Sequence, residues 1–128
     1  AGGLISSERR EAYANFEKAQ QEEILMERKI KQQIKSSYSS VLTNSANVKA
    51  REQALKSSQS ALRATQFGYE SNTRNIVDLL NAERNFFSAQ RDFNSSKCDF
   101  IIAELNLKLS AGILSPADIY DISNFMTN

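Results

Sequence analysis

Close together in the sequence lie a phenol, a guanidinium and a carboxylate: Tyr69, Arg74 and Asp78. A Tyr hydroxyl and an Arg fork make directional hydrogen bonds that can be exchanged for others. An Asp near the start of a helix favours the positive end of the helix dipole, and a carboxylate can also hold a cation. The remaining repertoire is narrow. With 0 His in the chain, His-containing zinc clusters, Ser/His and Cys/His nucleophile pairs and His-based acid/base catalysis are excluded. Cys98 is the single cysteine, so no intrachain disulfide can form. It is expected to pack as a small apolar residue. Glu52, Glu83 and Glu104 lie singly, so the carboxylate and His sets of helical-bundle metal enzymes are missing. The expectation is a non-enzymatic chain with no cofactor and no metal.

The elements that carry these residues are long helices. The 128 residues include only 4 Gly and 1 Pro, and neither type occurs from Ser6 to Gln66. A helix over that stretch would be about 60 residues and about 90 Å long. Lys and Arg total 16 against 15 acidic residues, and a net charge of +1 gives no field that argues for nucleic acid or an anionic membrane surface. No run approaches the roughly 20 apolar residues of a spanning helix. The start, Ala1-Gly2-Gly3-Leu4-Ile5, lacks the blocks of a signal peptide, so the chain is expected to be mature and soluble, or a piece of a longer protein.

Ile34, Val41, Val48, Leu55, Leu62 and Tyr69 recur at every seventh position, the spacing of a coiled-coil seam. Holding that repeat over such a distance implies left-handed supercoiling about a partner. The interleaved seam positions are expected at Tyr38, Ser45, Glu52, Gln59 and Gln66. Leu79, Phe86, Phe93, Phe100 and Leu107 repeat the rule on the far side of one break. Upstream, Tyr13, Phe16, Ile24, Met26 and Ile30 keep helical spacing in a looser register. The fold class is therefore all-α, a long antiparallel coiled-coil hairpin. Its long helix covers about 6–68, its tip 69–75 and its second helix about 76–111. Thr73 or Asn75 is the candidate N-cap after the break, and Gly112 the stop. Ser115 and Pro116 open a short last helix over about 116–125. Because the first helix is much longer than the second, part of it must pack on something else, which points to self-association.

The run Gly68-Tyr69-Glu70-Ser71-Asn72-Thr73-Arg74-Asn75-Ile76-Val77-Asp78-Leu79-Leu80 resembles the hairpin-tip signature of the TolC-type outer-membrane efflux protein family. Gly2-Gly3 resembles that family's strand-to-helix junction, Leu105-Asn106-Leu107-Lys108 the end of its post-tip helix, and Ala111-Gly112-Ile113-Leu114 its exit into the equatorial region. The resemblance covers nearly the whole chain and implies the second-repeat periplasmic hairpin of a longer Gram-negative outer-membrane protein. It implies a homotrimer forming a periplasmic α-barrel, joined by a periplasmic adaptor and an inner-membrane pump, for multidrug efflux or type I secretion.

By the same resemblance Tyr69 and Arg74 match the gate pair that holds the periplasmic entrance closed, and Asp78 matches a carboxylate of the constriction. Asn81 stands where the family has a second acid, a departure that leaves one ring of charge. Asn72 replaces the usual tip Gly. Ser71, Asn72, Thr73 and Asn75 form the outermost surface, where an adaptor would be met. Plain alternatives stand beside these roles: Tyr69 ends the seam, Arg74 is a solvated turn residue, and small polar residues are what turns need. A generic coiled-coil scaffold or an adaptor hairpin explains the heptads equally well, but not the coincidence of the tip motifs at the single break.

Overall fold

A computed structural model describes residues 2–112. The described residues form two long helices and the turn between them, α1 (Gly2–Glu70) and α2 (Ile76–Ala111), with no strand among them. They fall into two units, residues 2–36 and residues 37–112. The short helix expected over about 116–125 lies outside the described residues.

In residues 2–36 every side chain but that of Ile34 is exposed, including the large apolar Leu4, Tyr13, Phe16, Leu25 and Met26. Gly2 and Gly3 belong to the helix rather than to a junction before it. Each of them weakens a helix by about 1 kcal/mol relative to Ala. The Ser7 hydroxyl donates to the Gly3 carbonyl at 2.9 Å, a back-bond within the first turns.

In residues 37–112 the two helices pack side by side and antiparallel. The register is fixed at three heights. Ser37 meets Ser110, hydroxyl to hydroxyl at 3.5 Å, the Arg51 guanidinium donates to the Asp92 carboxylate at 3.4 Å, and Gly68 lies against Arg74. The apolar seams face each other. Val41, Val48, Leu55 and Leu62 on α1 and Leu79, Phe86, Phe93, Phe100 and Leu107 on α2 are all half-buried. Each keeps only the smaller part of its surface in water, and burial of that extent is worth about 1–2 kcal/mol per side chain, somewhat below the value for a core position. The buried apolar residues are Ile101 and Ala103 on α2, joined by Ser96, whose hydroxyl donates to the Phe93 carbonyl at 2.7 Å.

The interleaved seam differs from the expected one. Tyr38, Glu52, Gln59 and Gln66 are exposed, and of that set only Ser45 is half-buried. The inward positions lie one residue earlier, at Ser37, Asn44, Ser58 and Thr65. The physical reason is the uneven spacing of a heptad seam, whose two stripes alternate by three and four residues. From Ile34 onward the second stripe follows three residues after each member of the first rather than four, which puts Ser37, Asn44, Ser58 and Thr65 inward and leaves the longer Tyr38, Glu52, Gln59 and Gln66 in water. Tyr69 does not close the seam either, since it is exposed at 41%. Cys98 is also exposed. Five residues after Phe93, it has turned about 140° away from the seam, and its position on the helix overrides the usual preference of the thiol for an interior.

Candidate functional site

The tip is built around the carbonyl of Gly68, in the last turn of α1. That oxygen accepts from the amides of Thr73 at 2.8 Å and Arg74 at 3.1 Å, and from the Thr73 hydroxyl at 3.1 Å. The Ser71 amide donates to Phe67 and that of Asn72 to Tyr69, which tightens the chain as it leaves the helix. Asn72 takes φ 61°, the left-handed conformation that Asn tolerates better than most side chains, so replacement of a Gly there leaves the turn intact.

Of the two cap candidates, Asn75 is the N-cap of α2. Its side-chain oxygen accepts from the Asp78 amide at 2.9 Å, while the Asp78 carboxylate accepts from the Asn75 amide at 3.4 Å. This reciprocal capping box satisfies two amides that the helix start would leave unpaired. Thr73 spends its hydroxyl on Gly68 instead. At the other end Gly112, at φ 68°, closes α2 by donating its amide to the Leu109 carbonyl.

Three of the residues singled out from the sequence come together. Arg74, Asp78 and Asn81 line one open groove with Ser58, Ala61 and Thr65 of α1. Tyr69 is not among its lining residues, and Ser71, Asn72, Thr73 and Asn75 are exposed around the turn. Among the described residues, neither the Tyr69 hydroxyl nor the Arg74 guanidinium makes a hydrogen bond or ion pair within the chain. Their donors remain available to another surface.

A second groove further along the hairpin is lined by Arg51 and Asp92, and Asn85 contributes to both. These polar positions were missed in the sequence, although the signal is there. Asp78, Asn85 and Asp92 are seven apart, as are Arg51, Ser58 and Thr65. A polar repeat with the same period as the apolar seam marks the polar edge of the helix pairing, from half-buried Ser58, Thr65 and Asp78 to exposed Arg51, Asn85 and Asp92. The Arg51–Asp92 pair is half-exposed on both sides, so it fixes register more than it adds stability. Among the described residues no group of acidic, His or Cys side chains could hold a metal ion.

The fold and tip define a helical hairpin that gathers exposed polar groups at its turn. The model of the outer membrane efflux protein family matches residues 1–113, and the chain belongs to that family. It is 29% identical over 126 residues to outer membrane protein TolC of Escherichia coli, covering 98% of this chain and 26% of that protein. TolC of Vibrio cholerae is 30% identical over 122 residues, covering 95% of this chain and 28% of the relative. The alkaline protease secretion protein AprF of Pseudomonas aeruginosa is 28% identical over 119 residues, covering 93% and 25%. The chain thus spans about a quarter of the length of the curated relatives it matches. Membership makes it part of an outer membrane efflux protein. No described helix is long and apolar enough to cross a membrane.

Proposed function

We propose that the hairpin is the second-repeat segment of a trimeric efflux or type I secretion channel, forming part of its periplasmic α-barrel and of the gated entrance at the tip. The observation that carries this reading is the tip itself. Tyr69 and Arg74 are held at the end of the hairpin with their donors unspent inside the chain, beside a groove that contains Asp78 and Asn81. In a threefold assembly such groups bond across to neighbouring hairpins and keep the entrance shut. Charge-assisted hydrogen bonds of this kind are worth about 1.5–3 kcal/mol each, and about 1.4 kcal/mol changes a closed-to-open ratio tenfold.

Asp78 gives the entrance one ring of carboxylates. Its capping bond to Asn75 is long, so the group keeps acceptor capacity for a passing cation. With Asn81 in place of a second acid, cation block is weak. The exposed residues Ser71, Asn72, Thr73 and Asn75 meet a periplasmic adaptor, which links the channel to an inner-membrane pump.

The test is the double substitution Tyr69→Phe with Arg74→Ser in the full-length channel in planar bilayers. The expected outcome is a rise in conductance of at least about tenfold in open probability, from the bond energies above. Unchanged conductance removes the gate role.

A further inference from the structure

We infer that Gly68 is a positioning residue for Arg74, and that the empty space where its side chain would be is what holds the Arg74 stem against the end of α1. Gly68 is the one buried residue of α1. Its backbone does not need the left-handed region, because the positive-φ glycine among the described residues is Gly112. Nor does helix propensity ask for glycine in the last turn, where Ala is the better helix former. What demands it is space. A Cβ built at Gly68 would stand 2.6 Å from the Arg74 Cγ, 3.1 Å from the Thr73 Oγ1 and 3.4 Å from the Arg74 Cβ. The closest of these atoms belongs to the stem of Arg74, which cannot swing aside without carrying the guanidinium with it. The same residue's carbonyl takes the Thr73 and Arg74 amides, so Gly68 fixes both the backbone and the side chain of Arg74.

This rests on the gate reading for its functional part, and the experiment separates the two. The full-length channel is prepared as wild type, Gly68→Ala, Arg74→Ala and the double variant, and each is measured for amide exchange over residues 73–74 and for conductance. The expected result is that Gly68→Ala accelerates exchange at least tenfold and raises conductance as Arg74→Ala does. In the Arg74→Ala background the same glycine substitution has a much smaller effect on both, because the 2.6 Å approach to Cγ is gone and only the looser 3.1 Å approach to the Thr73 Oγ1 remains. Equal acceleration by Gly68→Ala in both backgrounds, or none in either, overturns the positioning role. Coupled exchange with unchanged conductance in Arg74→Ala overturns the gate reading and leaves the seat standing. If Gly68→Ala fails to assemble, assembly of the double variant supports the steric seat, and failure of both refutes it.

Discussion

Residues 2–36 and residues 37–112 share one helix type, yet they treat their apolar side chains in opposite ways. In the first region Leu4, Tyr13, Phe16, Leu25 and Met26 are exposed. In the second, two heptad series meet and cover most of each other's surface. The difference lies in regularity as much as in composition. A strict seven-residue repeat keeps one stripe on one side of a helix for many turns, and a second stripe of the same period can follow it. The looser spacing from Tyr13 to Ile30 gives no single stripe. Stability drawn from packing is therefore concentrated in residues 37–112, and the earlier region rests on local helix formation.

The sharpest way to break this comparison is Ile101→Ala. Ile101 is 5% exposed, the best-covered large side chain among the described residues. Its truncation should cost about 2 kcal/mol, the lower end of the range for core Ile, because a two-helix seam can relax around the gap. Urea unfolding followed by circular dichroism measures it. A cost below about 0.5 kcal/mol, the range of an ordinary surface change, would mean that the pairing of α1 with α2 carries little stability.

Next in size is Asn75→Ala, which removes the cap oxygen and half of the capping box, and is expected to destabilise by about 1 kcal/mol. Asn75→Asp or Asn75→Ser should recover most of that loss in the same unfolding measurement. Smaller still is the coupling between Arg51 and Asp92. A double-mutant cycle with alanines should give an interaction of about 0.5 kcal/mol, fading as salt is raised. At the bottom of the scale, Phe16→Ala should change the unfolding free energy of the chain by no more than about 0.5 kcal/mol. The same change in the assembled channel sharpens the contrast. If neighbouring hairpins cover that face, trimer dissociation on a denaturing gel should occur at a lower temperature.

The heptads made the all-helical hairpin legible, since two series of identical period on either side of one break leave few other ways to bury them. The break itself offered Thr73 and Asn75 as caps without deciding between them. The choice depends on where Thr73 sends its hydroxyl, and the Gly68 carbonyl that receives it is met only in three dimensions. The apolar series alone leaves open whether the second stripe follows three or four residues after each member, so the expected positions Tyr38, Ser45, Glu52, Gln59 and Gln66 differ by one residue from the inward ones. Which of the two spacings holds depends on the side from which α2 approaches, and that is seen only in the folded pair. Cys98 was misjudged for a similar reason, its residue type weighing more than its angular position. Of the candidate site, Arg74, Asp78 and Asn81 were singled out by motif resemblance. Their groove partners Ser58 and Thr65 carry a periodic signal that is legible only once polar repeats are sought with the same care as apolar ones.

The exposed thiol of Cys98 has a practical consequence. As the chain's single cysteine it is a natural attachment point for a spin label or fluorophore, with no other cysteine in these 128 residues to remove first. It lies about 35 Å along α2 from the cap at Asn75. A probe there would report from the shaft while substitutions are made at the tip. Distances between labels on symmetry-related copies would then distinguish an entrance that opens by local rearrangement, leaving them constant, from one that opens by splaying the hairpins, which would widen them.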